Sequence, residues 1–468
     1  MRKLLLGNVV IVVLLAPPAP AQDASARDRP GEEPGVRPWL AGDAEKALAA
    51  LEGAPASRET ELNRAVVLLY RGRALEAEAL LLDLRTREPR WAPALRWLAR
   101  IQKELGRPEV VATTSALLAS TGAEVRDFFW AGKLFAERKE WARARECFSQ
   151  VVKADPDFYL GWLGLGDAEA ALGNHEAARA AWTAAQQLYG GGNELFRLGR
   201  EQWDQGRRED AARLFDQALA SLEGPIYEGE IRSLAPNLAL VPPKTIPSLA
   251  AVLRPGEKLT YKGRFLFFGQ ATVTVENQGR LFIGGRRAHR ILFSVGARVL
   301  WLRVHSRYES LVAEDGIVLR QTDLTEDSTA PRQAATYEMD VERGSCTVRT
   351  VTESLFGYDR LSLPPGAQDG ISVIALARTL ARTGGSLSVL TTADGSWKGT
   401  QIRAAGEDRI EWRGKEVSAV RVEMIGHYKG PGGLSGQITL WVSPDERAVP
   451  YRAKFRTAVG PVVLELVP

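Results

Sequence analysis

The stretch Trp162-Leu163-Gly164-Leu165-Gly166, followed at fixed intervals by Gly173, Ala178, Trp182 and Ala185, decides the reading of the N-terminal half. Small residues stand where two helices would approach closely, a glycine stands where a turn would fall, and large apolar residues lie between them. The pattern continues in both directions. Ala65, Ala99, Gly132, Gly166 and Gly199 are spaced by 34, 33, 34 and 33 residues. Turn glycines follow four of them at Gly72, Gly106, Gly173 and Gly206, while Lys139 holds that place in the third unit. Ala77, Val111, Ala144, Ala178 and Ala211 come next, then Leu81, Ser115, Phe148, Trp182 and Phe215. A fixed period of this length marks helical hairpins that stack because none buries its apolar face alone.

This spacing resembles the tetratricopeptide repeat, with its small residue, turn glycine, alanine, aromatic, alanine and closing proline, here Pro89 and Pro156. Five units cover Arg58 to about Leu222, Gly42, Ala47 and Leu51 form a degenerate half-unit before them, and Val111, Ser115 and Lys139 depart from the pattern. The resemblance implies a concave face lined by the first helices, on which an extended peptide or a partner helix lies. Its groove positions fall on Arg96, Trp97, Arg100 and Lys103, on Phe129, Trp130 and Lys133, and on Arg197, Arg200 and Trp203. Cations among aromatics suit an acidic or carboxylate-ended peptide. The same side chains also suit an inter-repeat core with a solvated rim.

Around the array the chain is ordinary in composition, 468 residues of which 45% are apolar and 25% charged, which excludes a disordered chain and a polytopic membrane protein. Arg2 and Lys3 precede an apolar run from Leu4 to Leu15 and an Ala19-Pro20-Ala21 site. Residues 1–21 therefore read as a secretory signal peptide, the run being too short for the ~20 residues of a membrane span. The mature chain is expected to begin at Gln22 and to be exported to the periplasm, with no integral membrane span. Residues 22–38, rich in Pro, Ala, Gly and charge, read as a disordered spacer before a solenoid over 39–222. The net charge of +4 gives a nucleic-acid partner no global support. The cysteines, Cys147 and Cys346, fall in different domains and are expected to be buried, unpaired thiols.

From Glu223 to Val252 the helical period gives way to Pro225, Pro236, Pro242, Pro243 and Pro247, a Pro-rich linker. Beyond it apolar and polar residues alternate, in Lys258 to Phe267, Ala271 to Asn277, His289 to Val295, Arg303 to Val312 and Ala334 to Val341. The texture returns in Val417 to Ile425, Gln437 to Val442, Tyr451 to Thr457 and Val462 to Val467, which argues a largely antiparallel sheet over 253–468. One helix interrupts it, Asp369 to Arg382, ended by Gly384-Gly385. The change of period across the linker predicts two modules, each soluble alone.

Three stretches of this half carry a second resemblance: Pro255-Gly256-Glu257-Lys258-Leu259-Thr260-Tyr261; Asp369 to Ser372 with Leu376 to Arg378; and Leu440-Trp441-Val442-Ser443-Pro444-Asp445-Glu446-Arg447. They are similar to domain of unknown function 3108, a family of exported bacterial proteins that brings no reaction with it. The fold class expected is thus α plus β and multidomain, an all-α solenoid followed by a mainly antiparallel β domain, an open barrel with one helix. Phe265, Phe267, Phe268, Phe282, Phe293 and Trp301 supply either a packed interior or a site for a lipid or other apolar ligand.

No reaction can be named. His175, His289, His305 and His427 lack metal-ligand spacing, no cofactor motif occurs, and no nucleophile elbow or phosphate loop is present. The run Gly430 to Gly436 reads as a hairpin loop, and Asp445 with Arg447 beside Trp441 as a turn. The expected function is a non-enzymatic envelope protein whose solenoid docks a protein or peptide. The alternative is a glycan-active enzyme with two carboxylates in the β domain.

Overall fold

The computed structural model describes residues 34–238, 242–265, 269–299, 302–327, 333–393, 396–426, 437–457 and 460–467. The signal peptide, spacer residues 22–33, Phe267, Phe268, Trp301, His427 and the run Gly430 to Gly436 lie outside these residues, as does the side chain of Phe265.

The period becomes five helical hairpins, α3 (Arg58–Tyr70) with α4 (Ala74–Arg87), α5 (Ala92–Glu104) with α6 (Val110–Leu118), α7 (Val125–Glu137) with α8 (Trp141–Ala154), α9 (Tyr159–Ala171) with α10 (His175–Leu188), and α11 (Gly192–Asp204) with α12 (Arg208–Leu219). A shorter pair precedes them, α1 (Val36–Ala41) and α2 (Ala44–Glu52). In the last three units the small residue is a glycine that lies under an aromatic of its partner helix. A Cβ on Gly132 would meet Phe148 at 2.7 Å, one on Gly166 would meet Trp182 at 2.3 Å, and one on Gly199 would meet Phe215 at 2.7 Å. The turn glycines take φ between 66° and 80°, the left-handed conformation that favours glycine, and Lys139 adopts it too at φ 60°.

Two boundaries move. The first helix begins at Val36, inside the expected spacer, because Trp39 is fully buried against the C-terminal half and anchors it. The expected linker opens with a helix, α13 (Gly224–Leu234), which packs on α12 with Ile231 fully buried. Pro225 stands in its first turn, where the missing N–H costs nothing, so the proline does not mark a break. The chain then crosses both halves: Lys244 N–H bonds Ala220 O, Leu249 N–H bonds Glu314 O, and Leu249 and Val252 are fully buried.

The C-terminal strands are β1 (Lys258–Phe265), β2 (Gly269–Ile283), β3 (Arg286–Val299), β4 (Leu302–Ala313), β5 (Val318–Asp327), β6 (Gln333–Asp340), β7 (Ser345–Thr352) and β8 (Leu355–Ser362), then α14 (Gly370–Thr383) and β9 (Ser386–Ala393), β10 (Ser396–Trp412), β11 (Lys415–Gly426), β12 (Ile438–Val442), β13 (Pro450–Thr457) and β14 (Gly460–Leu466). They form one antiparallel sheet of fourteen strands in the order β8 to β1, then β14 to β9. The sheet is open, since β8 and β9 are its edges. The segment leaving β8 spans the gap, where Gln368 and Thr391 of β9 form an isolated parallel bridge, and Trp397 Nε1 of β10 donates to Ser362 O at 3.0 Å. Helix α14 lies on the inner face, capped by Asp369, which accepts from Ile371 and Ser372 N–H.

The halves are not separate modules. Val351 and Phe356 of β7 and β8 share a core with α1, α3, α4 and α5, and Tyr159, Trp182 and Tyr189 share the main core of the sheet. The sequence marked the change of period correctly, but the apolar faces on either side of it cover each other.

Candidate functional site

The inner face of the solenoid lies across the seam of the open sheet. On one side α1 and α3 pack on β6, β7 and β8, and on the other α9 and α10 pack on β10. Strand β8 is held there as an extended segment. Asn63 on α3 donates from Nδ2 to Ser354 O at 2.7 Å and accepts at Oδ1 from Phe356 N–H at 2.8 Å. Arg100 on α5 donates to Tyr358 O at 3.0 Å. Trp39 stacks on Phe356 at 5.5 Å between ring centroids and Trp97 on Tyr358 at 5.3 Å. Unpaired edge groups of a sheet are thereby satisfied by side chains rather than by another strand.

Arg349 of β7 is fully buried beneath this contact, paired with Glu338 at 2.9 Å and donating to Tyr70 Oη at 3.2 Å. Gly42 lies directly on it, since a Cβ there would sit 3.2 Å from its Cζ. Across the seam Lys398 is buried, with its ammonium 2.7 Å from Asp155 and over the Phe158 ring. The close approach of β10 to the end of α10 requires Gly399, whose Cβ would fall 2.3 Å from Leu188 O.

The expected groove residues divide accordingly. Trp97 and Arg100 grip β8. Arg96 is bidentate to Asp127, Lys103 pairs with Glu137, Arg197 with Asp167 and Arg200 with Glu230, all between helices of the solenoid. Trp203 packs on Phe215 beneath Arg208. Phe129 lies against Phe158 at 5.0 Å, with Lys133 exposed above it and Trp130 half-buried beside them. The grip of Asn63 on β8 escapes sequence reading, because an asparagine in a helix carries no signal of the strand it will meet.

In the sheet the three family stretches converge on one ion pair. Arg378 of α14 donates to both carboxylate oxygens of Glu257, at 2.8 and 3.2 Å, and to the carbonyls of Arg447 and Ala448 at 2.9 Å. Asp445 accepts from Ser443 Oγ and from the N–H groups of Arg447 and Ala448, so it shapes a turn as expected. Glu257 and Asp369 are each committed to structure, the one to Arg378 and the other to the helix start. Beside the ion pair lies a cavity of about 30 Å³ lined by Val252, Ile291, Ile371 and Ile374, room for one water and not for an acyl chain. Phe293 is buried in the core, whereas Phe282 is exposed on a hairpin.

At the far end of the solenoid Glu194 is fully buried, accepting from Tyr159 Oη at 3.1 Å and from Gly191 N–H at 2.7 Å. Burial, reinforced by the Glu223 charge, raises its pKa to about 7. Glu223 accepts from the N–H groups of Gly192 and Asn193 at the start of α11. His289 is buried between Asn277 and Glu314, and burial lowers its pKa. Cys147 and Cys346 are free and buried as expected, and burial pushes the thiols up to about 11 and about 12. Among the described residues no group of three or more side chains is placed to hold a metal, and no helix is long and apolar enough to cross a membrane.

The fold and its two interlocked halves define a tetratricopeptide-repeat solenoid joined to an open antiparallel sheet. Residues 258–467 match the family model described as Protein of unknown function (DUF3108), and residues 131–193 and 196–227 match that of the Tetratricopeptide repeat. The C-terminal half is thus a DUF3108 domain, and the N-terminal half a tetratricopeptide-repeat array, a module of protein–protein interaction. No curated protein matches the chain. Solved structures similar to it include MamA from Desulfovibrio magneticus RS-1, at 16% identity over 33% of this chain and 89% of that chain, TM-score 0.30. YrrB, titled a TPR protein with an unusual peptide-binding site, is 16% identical over 40% of this chain and 92% of that chain, TM-score 0.33. The C-terminal part of a TPR repeat-containing protein from Cytophaga hutchinsonii is 15% identical over 40% and 80%, TM-score 0.36.

Proposed function

We propose that this chain is an exported, non-enzymatic protein of the bacterial envelope that binds a protein partner along the inner face of its solenoid. The observation that supports this is the grip on β8, an extended segment held through its backbone by Asn63 and Arg100 and through its side chains by Trp39 and Trp97. These are the means by which a helical groove takes an extended peptide. With α3 and α5 committed to β8, the segment offered to a partner is α7, where Phe129, Trp130 and the exposed Lys133 present apolar area beside a cation suited to an acidic chain.

The same grip favours a second reading, in which the solenoid acts as an internal brace that holds the seam of the sheet. Photo-crosslinking in cells from position 130, with Leu75 on the outer face as control, separates the two. A discrete protein adduct at 130 alone supports partner binding, whereas adducts confined to this chain leave the brace. Export is tested in the same cells by sequencing the N-terminus of the periplasmic fraction, which should begin at Gln22.

A further inference from the structure

Strands β2 and β3 outrun their neighbours. The pairing of β1 with β2 stops at Lys258 with Glu276, and that of β4 with β3 stops at Ala313 with Ala288. Beyond those points the strand pairing of the ribbon from Phe282 to Arg287 is its own, with one further backbone bond at its base from Glu314 N–H to Arg287 O at 2.9 Å, and the register shift between Asn277 and Arg280, where Gly279 takes φ 124°, bends it. It turns through Gly284-Gly285, both at positive φ, so the end is narrow and carries no side chain of its own.

We propose that this hairpin is a membrane-docking finger that inserts its apolar end into the surface of a bilayer carrying anionic lipid. Phe282 is 71% exposed and Ile283 39% exposed. Consecutive residues of a strand point to opposite faces, so each face of the finger carries one large apolar side chain at its end, beside the arginine opposite it. A protein laid against it would cover one face and leave the other wet, whereas insertion covers both.

The surrounding charge fits that occupant. Between Arg280 and Arg290 there are four arginines and no acid. Arg286 and Arg287 stand directly across the ribbon from Ile283 and Phe282, with Arg280 and Arg290 behind them. Asp315 and Glu309 orient Arg286 and Arg290, and Arg280 lies 3.4 Å from Glu314. Arg287 is exposed and has no carboxylate partner among the described residues. Guanidinium groups on long aliphatic stems stay at headgroup level and bind phosphate oxygens bidentately while the apolar end lies deeper.

The test uses the chain from Gln22, which removes the apolar leader and its own affinity for lipid. Because Cys147 and Cys346 are buried, Phe282→Cys can be labelled selectively with an environment-sensitive fluorophore, and Leu75→Cys serves as the control. Vesicles of phosphatidylethanolamine with phosphatidylglycerol should shift the emission at 282 to the blue and leave 75 unchanged, and phosphatidylcholine alone should shift 282 far less. In flotation with the anionic vesicles, F282S/I283S should reduce the bound fraction by roughly tenfold or more, and R287A should reduce it with a steeper loss in salt. An unchanged label at 282 or equal flotation of wild type and the double variant overturns the proposal. So does a shift produced by raising protein concentration without vesicles, which would assign the finger to contacts between copies.

Discussion

Asn63 and Phe356, 293 residues apart in the chain, are joined by a hydrogen bond of 2.8 Å from the strand N–H to the side-chain carbonyl, completed by the amide's return bond to Ser354 O. One helical side chain thus satisfies two backbone groups, one on the free edge of β8 and one in the turn that leads into it. Asn63→Leu would leave the buried Phe356 N–H without a partner, which costs about 1–3 kcal/mol, while the half-buried Ser354 O can turn to water. Chemical denaturation should show a loss of that order, and amide exchange at Phe356 should accelerate more than at strands distant from the solenoid.

Separation of the halves should be costly. Chains ending at Leu222 or starting at Leu253 leave Trp39, Val351 and Phe356 without their partners. The expected result is one cooperative unfolding transition for the intact chain and aggregation of at least one fragment alone, recovered on co-expression. Two well-separated transitions, each matching a soluble fragment, would restore the modular reading.

Arg378 and Glu257 are both close to fully buried, and the arginine also holds the turn at Arg447 and Ala448. Removing one partner strands the other, so Arg378→Met should destabilise the protein by about 3–5 kcal/mol. Glu257→Gln should cost less, because an amide still accepts one of the guanidinium bonds. A double-mutant cycle would measure the coupling, and additive effects would show that the pair does not join the three stretches.

Lys139 occupies a left-handed turn that glycine fills in the other four units. Lys139→Gly should stabilise the protein by about 1 kcal/mol, the relief of a strained φ less the added freedom of the unfolded chain. Thermal melts of the two proteins provide the comparison, with a lower midpoint for the variant contradicting the prediction.

Glu194 gives the stability a pH dependence of its own. Its pKa in the folded protein is about 7, above the value of 4.5 ordinary for glutamate, so the native state holds a proton that the unfolded chain releases. The resulting stability is present in full below about pH 4.5 and is lost as the pH rises through 7, on the order of 3 kcal/mol. Glu194→Gln mimics the protonated form. The stability of wild type relative to this variant should therefore fall between pH 5 and about pH 7 and then level off, and a flat difference would refute the assignment.

The sequence by itself determined the repeat period, the number of full hairpins, the small residues beneath Phe148, Trp182 and Phe215, and strands such as β1 and β11, because these follow from local periodicity and steric size. Strands β5 and β7 to β10 were not legible. β7 buries Arg349 at 0% exposure and β5 buries Gln321, so polar residues occupy positions where alternation would require apolar ones. β10 carries Gly399 and a register shift between Ala404 and Glu407. The inner face was likewise legible as a face, and Trp97 and Arg100 do reach an extended segment, but only the tertiary structure decided that the segment is β8 of the same chain. Helical spacing fixes the direction in which a side chain points; what covers it depends on a contact across almost 300 residues, which no local pattern records.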